Sequence, residues 1–465
     1  MRPAATVTYT PRVADDNAAQ QADSLEPTSP TNRVFTTGSY VLMWWSSLIV
    51  VQAFALGQGF LPPIGRLNLT QAIVVMVLAA IASIVMFSLN GEPGLRYGIP
   101  YSVQARSSFG VRGSKFVELL RAIPAIVWCG IGTWIGALSF DGIVTKLIGT
   151  SWPMGKYVYF VALQIVQTML AYRGIRAMKW FNVSCSVIIA GVMLYMLVHI
   201  VQTYGVKIEA SWRSAGDWGM PFWGALTGAI GILATVMLNI SDLTRHLTNS
   251  SSSNWLGHVF GVMPPWFFML TLGFVAGASL GIWDPVEALI QLSPNVLAML
   301  VLLAFVLLAQ ITTNLTINIL PPALIFMDTF KMSWSQGVVL SGVLGVLSCP
   351  WLLMANFDAF LAFILNYSAL FGPMLGVMLA DYFVIRRRTL VVAELYDTSP
   401  RSPFWFSGGF NLAGCIATLV PGLITMIWFL QISWLLGVPA GFVIYLMLYP
   451  LLAGERNRRA ESQNA

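Results

Sequence analysis

Charge is what this chain has least of: Asp, Glu, Lys and Arg make up 9% of its 465 residues, against about 25% in an ordinary soluble domain. With 57% hydrophobic residues beside them, a water-facing surface cannot be built, which excludes a soluble enzyme. Cysteine is scarce as well. Cys129, Cys185, Cys349 and Cys415 stand alone in apolar segments, so they form neither a disulfide framework nor a thiolate metal site, and they read as small buried hydrophobes. Histidine occurs three times. No HExxH, nucleophile elbow or phosphate-binding loop is present, so metalloprotease, acyl-transfer and ATP-hydrolysing chemistry lack their residues. The acidic residues singled out near apolar runs, Asp141, Asp242, Asp284, Asp358 and Asp381, fall at or near the ends of those runs, so a buried carboxylate proton relay is not expected.

Apolar length is what the chain has in abundance. Mean hydropathy is +0.74, and runs long enough to span ~30 Å of hydrocarbon as a helix recur twelve times, at 40–62, 69–90, 116–145, 156–172, 180–204, 221–242, 257–282, 294–318, 335–354, 359–385, 408–430 and 433–452. The fold class expected is therefore an all-α integral membrane protein of twelve transmembrane helices. Polar residues 1–38 and 453–465 read as tails, the first of them disordered, and 387–407 reads as a loop. An even span count places both termini on one side. With that side cytoplasmic, the outer loops hold only Arg66, Lys146, Lys156, Lys207 and Arg213, and the other twenty of 25 Lys and Arg lie inside, the bias the positive-inside rule demands. A multi-pass protein of the cell inner (plasma) membrane with cytoplasmic termini is expected. Its net charge of +6 is explained by a cytoplasmic face meeting anionic lipid, with no nucleic-acid partner.

The apolar interior is interrupted by neutral polar groups. Span eight carries Gln310, Thr312, Thr313, Asn314, Thr316 and Asn318 within about two turns, and Asn314 and Asn318 share one helix face. Hydroxyls and main-chain carbonyls are hard oxygen donors suited to a small cation, and amides pair with a heterocycle edge; interhelical fastening is the competing reading. In span six, Gly228 and Gly231 mark either a close helix contact or a point of unwinding. Span three offers Trp128 beside Gly130 and Gly132, where an indole face either packs or serves as a stacking platform.

Several ordered stretches then resemble one family. Ser88-Leu89-Asn90-Gly91 leads through Tyr97-Gly98-Ile99-Pro100 to Ala105-Arg106-Ser107-Ser108-Phe109-Gly110 after span two. Thr312-Thr313-Asn314 with Asn318, Cys349-Pro350-Trp351, Gly372-Pro373 and Asp381-Tyr382-Phe383 follow in order. Over about residues 38–452 the chain resembles the nucleobase:cation symporter-1 family of hydantoin, allantoin and cytosine permeases, and Glu394-Leu395-Tyr396 with Gly409-Phe410-Asn411-Leu412 look more like its allantoin and hydantoin branch.

The resemblance implies a leucine-transporter-like fold: inverted five-helix repeats at 39–204 and 219–386, spans one and six broken at mid-membrane, and two further helices at 408–452. It implies alternating access and a sodium coupling ion, with no cofactor. Carried over residue by residue, the sodium ligands fall on the carbonyls of Ser46, Ile49 and Ala309 and the hydroxyls of Thr312 and Thr313. The heterocycle falls on Trp128, Asn318 and Asn314. Three positions depart from the family: its span-six tryptophan aligns with Leu233 near Gly231, its span-three glutamine with Gly132, and its span-one amide with Val50, leaving Gln52, or the Asn366-Tyr367 pair in span ten, to supply contacts. The expected partners are a small heterocyclic substrate and membrane lipid, with the protein a monomer. A same-fold symporter for a vitamin or amino acid, or proton coupling, is the alternative; a channel or membrane enzyme is disfavoured by the missing charged rings and catalytic groups.

Overall fold

The computed structural model describes residues 25–173, 191, 194–195, 197–205, 209–248 and 250–452, and every long element in them is a helix. Seven described helices are apolar and long enough to cross a membrane, and a bent pair makes an eighth. Trp334–Leu347 and Leu412–Trp428 are shorter apolar helices, and Gly155–Tyr172 supplies span four. Eleven of the twelve expected spans thus have a helix; the fifth, 180–204, falls largely outside the described residues, as does Cys185. Large apolar side chains such as Leu147, Leu297, Trp428 and Leu451 face outward, which suits lipid and would not suit water.

The bent pair is span one. Thr37–Leu48 and Val51–Gln58 meet at 54°, and the residues between them leave the helical region, with Ile49 at φ −76, ψ 75 and Val50 at φ −117, ψ 130. Three consecutive β-branched residues, Ile49-Val50-Val51, favour that extended excursion. Span seven, Ser251–Leu280, packs along both halves. The contact is close because glycines face it: a side chain on Gly273 would meet the Phe54 carbonyl at 2.2 Å, and one on Gly57 the Leu270 carbonyl at 2.7 Å.

Span eight is also irregular. Val296–Thr313 passes into a π-helical segment, Asn314–Ile319, before Leu320–Phe330. Pro321 and Pro322 have no N–H to offer the carbonyls of Ile317 and Asn318, so the ladder widens there. Span three is one helix, Gly113–Ile148, and it lies against span eight.

Two expectations change. Span six is continuous from Met220 to Leu238 and does not unwind at its glycines. Gly228 instead admits Leu361, and a Cβ on Gly231 would lie 2.3 Å from Ser368 Oγ, so these glycines let span ten, Phe357–Leu379, approach closely. Residues 25–36, assigned above to a disordered tail, are seated on the loop ends. Phe35 is buried and donates its N–H to His246 O at 2.9 Å, Thr28 N donates to Gly98 O at 2.9 Å, and Arg33 Nη1 donates to Leu247 O at 2.7 Å. The polar composition of that stretch hid one aromatic anchor and a string of main-chain bonds.

Candidate substrate and cation site

A break in a helix frees carbonyls that would otherwise accept from residues four positions on. In span one these include Ser46 and Ser47, and span eight supplies the donors: Thr312 Oγ1 reaches Ser46 O at 2.8 Å and Thr313 Oγ1 reaches Ser47 O at 2.9 Å. Thr312 Oγ1 also lies 2.9 Å from Ala309 O. At the bend, Ala53 N turns to Val50 O, passing over the Ile49 carbonyl. Four of the five positions assigned to the cation, Ser46, Ala309, Thr312 and Thr313, are therefore brought together, and Ile49 sits on the bend beside them. The structure also brings the Ser47 carbonyl to Thr313, one residue along from the assigned Ser46. All of these donors are neutral hard oxygens, the set a sodium ion accepts and a soft metal does not.

One helical layer away lies a cluster of amides. Gln52 Nε2 donates to Gln310 Oε1 at 2.8 Å, which leaves Gln52 Oε1 and Gln310 Nε2 buried without a partner. The Gln310 amide occupies volume that a span-three side chain would need: a Cβ on Gly132 would lie 3.0 Å from Gln310 Oε1 and 2.8 Å from Asn314 Oδ1. The Gln310 and Asn314 amides thus border the gap that glycine leaves at position 132. Gln310 had been seen only as part of a polar run; its aim toward Gly132 had no sequence signal.

Asn314 fastens helices. Its Nδ2 lies 3.1 Å from Cys129 O, 3.2 Å from Thr133 Oγ1 and 2.8 Å from Gln167 Oε1, tying span eight to spans three and four. Asn318 donates to Asn314 Oδ1 at 2.8 Å and is held in position by it. Trp128 is buried, its Nε1 donates to Tyr367 Oη at 3.2 Å, and Tyr367 Oη donates to Gly231 O at 2.8 Å. Phe360 and Phe363 flank the indole edge-on at 5.7 and 5.4 Å. Leu233 is buried and apolar, so aromatic neighbours of Trp128 come from span ten. Asn366 does not join them: it is exposed and its amide donates to Ala362 O one turn back. Of the Asn366-Tyr367 pair only Tyr367 reaches Trp128, because a one-residue step on a helix turns a side chain by about 100°.

Among the described residues no group of three or more His, Cys, Asp or Glu could hold a metal. Apolar helices around a broken first span, with neutral oxygens and amides buried at the break, define a membrane transporter. Residues 27–449 match the sequence model of the family described as permease for cytosine/purines, uracil, thiamine, allantoin, and the chain belongs to that family. It is 30% identical to the purine-uracil permease NCS1 of Arabidopsis thaliana over 91% of this chain and 74% of that protein. It is 27% identical to the allantoin permease of Bacillus subtilis over 92% of each, and 30% identical to the hydantoin permease of Microbacterium maritypicum over 82% and 79%. Mhp1, a nucleobase-cation-symport-1 family transporter solved in a closed conformation with bromovinylhydantoin bound, superposes with a TM-score of 0.80 at 26% identity, covering 94% of this chain and 98% of that one. A Na+-coupled sialic acid symporter shares the fold at a TM-score of 0.65 and 13% identity. The fold is that of the leucine-transporter class, and the chain is a permease, not an enzyme.

Proposed function

We propose that this permease imports a small planar heterocycle of the nucleobase, hydantoin or allantoin type by sodium symport with alternating access, across the plasma membrane and with both termini cytoplasmic. The observation that carries the substrate class is the Gln52–Gln310 pair. Its two unpartnered atoms, an acceptor and a donor, match the adjacent N–H and C=O of a cyclic amide or ureide, and a buried polar pair left open favours a ligand that closes it. Gln310 rests against Gly132, one helical turn from Trp128, so a ring stacked on the indole can present its edge to the amides.

The cation reading rests on the contact between spans one and eight. An ion coordinated by Ser46, Ser47, Ala309, Thr312 and Thr313 would pull the broken span onto span eight and favour the conformation that also holds substrate, a coupling that is reciprocal by linkage. The named relatives transport purines and uracil, allantoin and hydantoin, which supports the ligand class. A thermal-shift screen of purified protein against purines, pyrimidines, hydantoins and allantoin, in sodium and in choline, tests it. A heterocycle that raises the melting temperature more in sodium is expected; no shift from any of them would contradict the substrate class.

A further inference from the structure

The acidic residues singled out in the sequence did not include Glu118, which stands in the first turns of span three and is wholly buried. Both of its carboxyl oxygens lack a hydrogen-bond partner. Burial in this apolar setting disfavours an ionised carboxylate.

Most of the hydrogens on the cations around it are engaged elsewhere, with Arg106 Nε and Arg121 Nη1 left without a hydrogen-bond partner. From the helix Tyr101–Phe109 before span three, Arg106 Nη2 pairs with Asp328 at 2.5 Å while its Nη1 donates to Leu395 O at 2.9 Å. Lys115 Nζ binds Asp328 twice, at 2.7 Å to the carbonyl and 3.1 Å to the carboxylate. Asp328, at the cytoplasmic end of span eight, is also wholly buried, and its negative charge opposes a second one beside it. Lys331 approaches Asp328 at 3.8 Å. From span six, the Thr235 carbonyl and the Asn239 amide take the hydrogens of Arg121. Tyr101 faces the same space and donates to Met374 Sδ at 3.6 Å. Ser114, one turn before Glu118 on the same face, is a neutral neighbour whose hydroxyl also lies 3.3 Å from Val111 O.

Glu118 lies ten residues before Trp128 on one helix, about 15 Å nearer the cytoplasm, and Asp328 lies ten residues beyond Asn318. Both carboxyl groups therefore sit on the inner side of the proposed substrate position, where Lys115 ties span three, and Arg106 the helix before it, to Asp328 of span eight. We propose that Glu118 is a proton-binding site: it holds its proton while this inner seal is closed, and when the seal parts and water enters, the O–H bond breaks, the proton passes to water, and the carboxylate left behind takes up Arg106 or Lys115. Reclosure then requires a proton from the cytoplasm.

Infrared spectroscopy of the full-length protein in detergent, at neutral pH and in H2O and D2O, tests this without any substrate, so its failure would leave the transport reading standing. A carboxylic-acid C=O band is expected in the parent and absent in Glu118→Gln. Should that variant not fold, Glu118→Asp, which keeps the acid but shortens it, is expected to move the band. No such band in the parent, or a band unchanged by these substitutions, would overturn the proposal.

Discussion

The hydroxyl of Thr312 donates to the main-chain carbonyl of Ser46 at 2.8 Å, joining the helix that ends at the break in span one to the middle of span eight. The next residue repeats the contact, Thr313 to Ser47 at 2.9 Å. Two side chains thus satisfy two carbonyls that the break deprives of helical partners, and the same oxygens are those proposed above to hold the cation.

Tyr367 orients Trp128 through the bond at 3.2 Å and is itself fixed to Gly231 O at 2.8 Å. Tyr367→Phe removes both bonds and keeps the ring. A loss of about 1 kcal/mol, some fivefold in ligand Kd, is expected from calorimetry, whereas Trp128→Ala abolishes binding. Full affinity in Trp128→Ala would remove the stacking role.

Gly132 gives room to two amides. Gly132→Ala sets a methyl 2.8 Å from Asn314 Oδ1, where it must displace a hydrogen-bonded network. Overpacking of this kind costs about 1–3 kcal/mol, so the melting temperature should fall. A variant as stable as the parent would show that the amides move freely.

Arg106 and Asp328 form a buried ion pair at 2.5 Å, with side chains 5% and 0% exposed. Removing Arg106 leaves the buried Asp328 carboxylate to Lys115 at 3.1 Å and Lys331 at 3.8 Å, and breaking a buried pair costs up to about 3–5 kcal/mol. Arg106→Ala is expected to unfold at much lower temperature than the parent, and a change within experimental scatter would contradict the ion pair.

His246 is buried beneath residues 25–36, and burial first, then the cations Arg245 and Arg33, hold its imidazole well below the usual range. The folded state therefore refuses a proton that the unfolded chain binds below about pH 6.5. Stability from this residue is present above that pH and is lost as pH falls through it. Melting curves between pH 7.5 and 5 should show a smaller decline in His246→Gln than in the parent.

Apolar run lengths and the asymmetry of Lys and Arg made the helical membrane architecture legible, because both are summed over many residues. The oxygens at Thr312 and Thr313 were legible for another reason: hydroxyls are conspicuous inside a span. What escaped depended on direction or on main chain. Gly228 and Gly231 are compatible with a break or with close packing, and only the approach of Ile364, Ser368 and Leu361 decides between them. Asn366 and Tyr367 differ by one step around a helix, which carries one outside and the other into the core. Ser47 differs from the assigned Ser46 by one residue, and the choice between neighbouring carbonyls depends on where the helix breaks. Glu118 stands near a span end beside Lys115, where sequence alone does not separate a wet carboxyl from a buried one; packing leaves it fully buried.

Uptake of a radiolabelled heterocycle into proteoliposomes, with an inward sodium gradient and with sodium equal on both sides, tests the central claim most directly in the parent and in Thr312→Ala/Thr313→Ala. Concentrative uptake that requires the gradient, and is lost in the double variant while the protein stays folded, is the predicted result. Uptake unaffected by sodium, or unchanged by removal of both hydroxyls, would contradict it.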